Sequence, residues 1–234
     1  MLVSSGDTRF AFLDSTEVVD LKSGKIFSMA PLGTRTEGAT GGLLDGLPVI
    51  CGGYNDKQIH SIAKDQSKFL GQLSVKRRHA ASVVLSNNTL WVTGGYDQYY
   101  NIPMKTTEIV TKDGQTSQGP DLPLPLERHA IVPLNSGAFI LIGGIGDSSA
   151  THFYEEKKGW RPGPNLKKGR FGHTAGVLTD RVSTKTYIVA VGGGGDAGSS
   201  LEYLEYPGSN DWMKGKPTHS SLDQLQLESH LFMF

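Results

Sequence analysis

Four arginines stand at near-regular distances along the chain, Arg35, Arg78, Arg128 and Arg170, in steps of 43, 50 and 42 residues. Each lies within five residues after a leucine (Leu32, Leu73, Leu124, Leu166). Three stand close to a histidine: Arg78 before His79, Arg128 before His129, and Arg170 shortly ahead of His173. A guanidinium presents five N–H donors in a planar fork that suits carboxylates and peptide groups. Several brought to one rim would grip an acidic ligand, whereas the same side chain buried between structural units would brace them; spacing leaves both roles open. The histidines come from different repeats and lack the close spacing of a metal site. They read as structural, and no metal is expected.

The remaining reactive groups carry less. Cys51, the single cysteine, sits beside Gly52 in an apolar run and reads as a small buried residue. It cannot make an internal disulfide, which favours a reducing, cytoplasmic setting, with secretion open if the chain is a fragment. The glycine run at 192–195, followed by Asp196, lacks the Gly-Lys-Ser/Thr of a phosphate loop, and no helix begins there. Asn87 to Thr89 form a glycosylation sequon inside a turn, meaningful only in a secreted protein. No pair of carboxylates recommends acid–base hydrolysis, so no catalytic residue is expected.

Side chains recurring at such a distance need a frame that recurs with them. Four doubled glycines supply its outline: Gly52 and Gly53, Gly94 and Gly95, Gly143 and Gly144, Gly192 and Gly193, with first glycines 42, 49 and 49 residues apart. A period of roughly 40–50 residues marks a repeat architecture. Each pair closes a short apolar, β-branched run, such as 139–142 or 187–191, that reads as a strand buried on both faces. A first strand lies upstream, clearest at 80–85, and turn residues at 45–46, 86–88, 135–137 and 180–185 make the two a hairpin. A third strand is expected at 107–110 and 201–206. A short fourth segment carries Trp160 or Trp212 and, more loosely, Phe27 or Phe69.

In these glycine-closed strands with a spaced aromatic, the chain resembles the kelch-repeat family over nearly its whole length. The resemblance implies an all-β fold, a kelch-type β-propeller of four-stranded blades, with glycines where inner strands crowd and the backbone needs positive φ. Repeats would span 33–73, 74–124, 125–166 and 167–217, with partial blades at 1–32 and 218–234. The third unit lacks a tryptophan at 115–119, so its outer edge is expected to be loose, and the second has Phe69 in that place. Residues 1–7 align with 141–147, and 16–19 with 107–110, so the chain opens after a blade's first strand. Residues 222–228 and 231–234 look like the first strand and the start of the second of another blade. The two partial blades either complete each other in a ring of five or belong to a fragment of a six-bladed ring.

In kelch substrate adaptors the peptide is held by loops at one mouth of the propeller, including arginines at repeat starts. Carried onto this chain, the partner-binding residues are Arg35, Arg78, Arg128 and Arg170 with Tyr96, Asp97, Gln98, Tyr99, Tyr100, Asp147, Ser148, Asp196 and Ser199. The implied function is a non-catalytic protein-interaction module, without cofactor, binding another protein or an acidic peptide. The alternative is a secreted carbohydrate-binding or oxidase-like propeller enzyme. For a galactose-oxidase-like relative, Cys51 would have to join a tyrosine beside copper-binding histidines. The chain balances 23 basic against 23 acidic side chains, which argues against a grip on nucleic-acid backbones. No apolar run reaches the ~20 residues of a membrane helix.

Overall fold

The computed structural model describes residues 2–7, 11–20, 22–54, 56–134, 137–180, 183–215 and 225–227, with the backbone alone at 2–7 and 225–227. Every regular element among them is a β-strand, and the chain divides into two compact units, 1–127 and 128–231.

In the first unit β1 (Leu2–Asp7), β2 (Phe12–Val19) and β3 (Ile26–Ser28) form a three-stranded sheet. A four-stranded sheet follows in sequence order: β4 (Thr40–Leu44), β5 (Leu47–Cys51), β6 (Gln58–Ile62) and β7 (Ser67–Gln72). The next has β8 (Ala81–Val84) and β9 (Leu90–Thr93), then a small hairpin of β10 (Tyr96–Asp97) and β11 (Ile102–Pro103). β12 (Thr107–Val110) and β13 (Thr116–Gln118) complete that sheet. The second unit opens with β14 (Ala130–Pro133), β15 (Phe139–Ile142), β16 (Thr151–Glu155) and β17 (Gly159–Pro162). Its last sheet contains β19 (Thr174–Asp180), β20 (Thr186–Val191), β22 (Leu201–Glu205), β23 (Met213–Gly215) and β24 (Leu225–Leu227). A short ladder pairs β18 (Arg170–Phe171) with β21 (Gly194–Gly195).

All pairings are antiparallel, as the hairpin turns require. The turn between β4 and β5 puts both Asp45 (φ 49°) and Gly46 (φ 78°) in the left-handed region, the two-residue geometry that matches strand twist. The expected loose edge at 115–119 is an exposed three-residue strand paired with β12. The first sheet has three strands, as the alignment of 1–7 implied. At the carboxy-terminal end Leu225–Leu227 pairs with Leu178 to Asp180 of β19 and extends the last sheet to five strands. β19 is longer than the four-residue β8 and β14, and its far end offers unpaired backbone groups that a strand can cap. The rest of 222–234 lies outside the described residues.

Apolar residues gather between neighbouring sheets of each unit. Leu44, Val49, Cys51 and Ile59 meet Leu90, Val92 and Val110 in the first; Val132, Ile140, Ile142 and Phe153 meet Val177, Ile188, Leu204 and Trp212 in the second. Trp212 is fully buried and donates Nε1 to the Pro164 carbonyl at 3.0 Å, and by strand register it holds the place that Trp160 takes on β17. Cys51 lies in the core, and burial pushes its thiol up to about 12.

The glycine pairs join each repeat to the next. Both members of every pair have positive φ, from 56° to 110°. The second glycine donates its N–H forward: Gly53 to the Arg77 carbonyl at 2.9 Å, Gly95 to Leu126 at 2.8 Å and Gly144 to Arg170 at 2.9 Å. A Cβ on Gly52 would come within 2.6 Å of that Arg77 oxygen, so contact as well as dihedral demands glycine.

These bonds define which residues are equivalent, and they overturn the register counted by arginines. Arg77, Leu126 and Arg170 accept the same bond. Two residues after each comes a left-handed residue, His79 (φ 53°), Arg128 (φ 54°) and Gly172 (φ 58°), matched in the preceding repeat by Gly38 (φ 64°) two after Thr36. His79 N donates to Gly38 O at 2.8 Å and Gly172 N to Arg128 O at 2.7 Å, so these turns also bond in series within each unit. Arg35, Arg78, Arg128 and Arg170 therefore occupy four different positions. His129 and His173 are equivalent, but His79 is not. The buried leucine that keeps step is Leu32, Leu73, Leu122 and Leu166; in the third case it is Leu122 in place of Leu124.

Arg77 and Arg170 bury their guanidinium groups against a carboxylate on the third strand. Arg77 Nη2 meets Glu108 Oε1 at 2.9 Å and Arg170 Nη2 meets Glu202 Oε1 at 2.7 Å, with both arginines at most 1% exposed. Nη1 of each donates to the first glycine's carbonyl, Gly94 O at 2.7 Å or Gly192 O at 2.9 Å. Glu108 also accepts the Ser74 amide at 2.7 Å, and Glu202 the amides of Lys167 and Lys168 at 2.6 and 3.0 Å. Glu202→Ala, which leaves a buried guanidinium without its counter-charge, should cost about 3–5 kcal/mol. Arg170→Met combined with Glu202→Met should cost much less than the sum of the two single changes. Thermal unfolding of the parent, the three single variants and the double variant measures this, and an unaltered midpoint for Glu202→Ala would rule the strut out as a stabilising element.

Candidate functional site

The expected partner-binding residues separate by unit. In 1–127, Arg78 projects between two tyrosines, its guanidinium carbon 5.0 Å from the Tyr96 ring centroid and 5.4 Å from that of Tyr54. Tyr54 rests in turn on Phe12, with centroids 4.7 Å apart. Both tyrosines directly follow a glycine pair. Tyr96 N donates to Arg78 O at 2.8 Å and Tyr54 N to Glu37 O at 2.8 Å, so each ring is placed by the turn ahead of its repeat. Cation–π contact of this kind is worth about 0.5–2 kcal/mol, depending on desolvation.

Charge surrounds this aromatic pair. Arg78 Nη1 is 3.6 Å from Glu37 Oε1, and the other oxygen of Glu37 lies 3.3 Å from His79 Nε2. His79 Nδ1 is 3.2 Å from Glu127 Oε2, so one imidazole bridges two carboxylates. The left-handed backbone at His79 turns the ring into this position. Arg78 thus already faces an acceptor at long range, and a ligand carboxylate must compete with Glu37 for it. Arg35 stands apart, largely exposed, with its Nε 3.9 Å from Asp14.

The β10–β11 hairpin rises beside Arg78. Asp97 Oδ1 accepts the amides of Tyr99 at 2.8 Å and Tyr100 at 3.2 Å, an Asx-type turn that fixes the tip. The Tyr96 hydroxyl donates to Asn101 Oδ1, which holds the base of the loop. Gln98 Oε1 is buried without a hydrogen bond. Tyr99 and Tyr100 meet edge to face, centroids 4.9 Å apart, yet are 87% and 68% exposed, and Ile102 is 53% exposed. An ordered tip that leaves three large apolar side chains in water is shaped to be covered.

In 128–231 the expected residues are not gathered in this way. Arg170 is the fully buried strut described above, the bracing role of the two left open by the spacing. Arg128 is exposed at its left-handed turn. Asp147 Oδ1 accepts from the Ser149 and Ala150 amides at 3.2 Å, and the Ser148 carbonyl accepts Arg170 N at 2.9 Å, so both organise their own loop. Asp196 N donates to Gly169 O at 3.0 Å, and Ser199 is exposed.

Glu37, Tyr54, Asn101 and Glu127 were not anticipated. Tyr54 was within reach, since a tyrosine follows the glycine pair at both 52–54 and 94–96. The two glutamates carry no local signal, because their meeting at His79 depends on the turns stacking. Among the described residues no group of three or more His, Cys, Asp or Glu side chains is placed to hold a metal ion. No protein-family model and no curated protein matches the chain.

Burial, and secondarily His173, brings His129 down to about 3; burial and then Arg170 bring His173 to about 3. Both groups refuse a proton that the unfolded chain accepts near the ordinary 6.5. Stability is therefore full above that value and is lost as pH falls from about 6.5 towards 3, by up to ~1.4 kcal/mol per pH unit for each histidine. The urea midpoint should fall between about pH 7 and pH 5, where carboxylates stay ionised, and His129→Gln should flatten the slope. A midpoint constant over that interval would contradict the burial of these rings.

Proposed function

We propose that the chain is a kelch-type β-propeller, of five blades or part of a six-bladed ring, that works as a non-catalytic protein-interaction module. Supporting this reading are the recurring four-stranded antiparallel sheets, the glycine pairs bonded to the next repeat, and the cores packed between neighbouring sheets of each unit. The observation that carries the binding function is the pinned, exposed tip of Tyr99, Tyr100 and Ile102 beside the Arg78 cluster. Rigid aromatic anchors at a loop tip supply contact area at little entropic cost, and such residues dominate interface energetics. The partner is a protein or peptide segment whose apolar side chains cover the tip and whose acidic group reaches Arg78.

Selection from a displayed library of short acidic peptides tests this directly. Enriched peptides should lose roughly 30-fold in affinity, about 2 kcal/mol, when Tyr99 and Tyr100 are both replaced by Ser, with thermal stability unchanged. Arg78→Ala should weaken them and Glu37→Gln should strengthen them, because the guanidinium is then free for the peptide carboxylate. Failure to enrich any ligand, or ligands indifferent to the tip, would remove the proposal.

A further inference from the structure

A second concave surface lies within 128–231, away from the hairpin and its charged cluster in sequence and in residues used. Phe153 of β16, Arg161 and Pro162 of β17, Pro164, and Tyr206 and Pro207 after β22 line an open pocket of about 400 Å³. That volume falls within the range of ligand-binding clefts, ~300–1,000 Å³. Its walls are preformed. Phe153, 4% exposed, stacks on Tyr206 with centroids 5.5 Å apart and planes 20° from parallel. The Pro164 carbonyl is fixed by two donors, the Thr151 hydroxyl at 2.7 Å and the indole of fully buried Trp212 at 3.0 Å. Tyr206 N donates to Thr186 O at 2.8 Å.

Arg161 supplies the charge. Its guanidinium carbon lies 4.3 Å from the Phe153 ring centroid, a cation–π contact that holds the group beside the wall. Its one ion-pair partner among the described residues is at long range: Nε is 3.9 Å from Glu155 Oε1, while Glu155 Oε2 is taken by Lys158 at 2.6 Å. Neither terminal nitrogen of Arg161 donates to an acceptor among the described residues. A guanidinium held against an aromatic ring with its terminal N–H groups open to solvent, at the edge of a pocket lined by three prolines and two aromatic rings, has the two halves of a peptide site. Proline and aromatic surfaces accept prolyl rings of an extended chain, and the fork accepts a carboxylate.

We propose that this pocket binds a short extended peptide in which a glutamate or aspartate adjoins proline. The site is independent of the hairpin tip, and either can fail without the other. The test is fluorescence anisotropy on the full chain with a labelled Pro-Pro-Glu-Pro peptide and its Pro-Pro-Gln-Pro counterpart. The acidic peptide should bind saturably, and about 10-fold more weakly when either its glutamate or Arg161 (R161Q) is neutralised. Tyr206→Ser should weaken both peptides, whereas the Tyr99 and Tyr100 double replacement should change neither. Equal thermal midpoints for R161Q and the parent establish that folding is intact. Absence of saturable binding, indifference to R161Q, or loss of binding in the hairpin variant would overturn the proposal. So would binding of methyl glucuronide through Arg161 with the peptide excluded, which would make the pocket a sugar-acid site.

Discussion

The buried arginine–glutamate strut ties three levels of the structure to one side chain. The backbone carbonyl of Arg77 receives the Gly53 amide from the repeat before it, while its guanidinium holds Gly94 O, Thr106 O and Glu108 in its own repeat. Arg170 does the same between Gly144 and the trio of Gly192 O, Ser200 O and Glu202. Burying two charges costs several kcal/mol per ion before pairing returns any of it. The geometry offsets that cost by adding backbone partners on both sides: each guanidinium donates to carbonyls, and each carboxylate accepts linker amides. The residue so placed cannot move without disturbing two repeats at once.

The strut occurs as a set. Where the arginine position holds Thr36 or Leu126, the third-strand position opposite the residue two before the glycine pair holds His60 or His152 in place of glutamate. A glutamate buried there without its arginine would be an unpaired charge, so the two residues must be present together or absent together. His60 and His152 are both kept towards the neutral form mainly by burial, which outweighs the opposing pull of Asp56 and Asp147 respectively, so neither place carries a buried charge that needs the arginine.

The parts legible in the sequence were those whose cause is local. Glycine pairs, β-branched runs and turn residues each act within a few residues, and strand order followed from them. The arginine register is hidden in the sequence because Arg77 and Arg78 are adjacent and only Arg78 stands beside a histidine, although Arg77 is the residue that braces. The legible signal was the leucine four residues upstream: Leu73 to Arg77 and Leu166 to Arg170 keep one spacing, and Leu122 to Leu126 repeats it without the charge. The cluster of Glu37, His79 and Glu127 joins residues 42 and 48 positions apart. No window on the sequence brings these together, since their distances follow from the left-handed turns bonding in series.

The same strut connects the framework to the variable surface. A backbone bond closes the loop after each glycine pair: Gly52 N to Gln58 O, Gly94 N to Thr106 O, Gly143 N to Ala150 O and Gly192 N to Ser200 O. The two repeats with a strut enclose the longer loops, 95–105 and 193–199, against 53–57 and 144–149. Closing the longest instead of the shortest adds only about 0.7 kcal/mol of chain entropy on a logarithmic scale. A guanidinium reaching both ends, Gly94 O and Thr106 O, can offset that and more. The arginine at this position therefore need not face a ligand to govern binding. By clamping the base of 95–105 it lets the tip carry Tyr99, Tyr100 and Ile102 into solvent without loosening the sheet beneath, and the buried and exposed roles first weighed for one arginine fall to neighbours, Arg77 and Arg78.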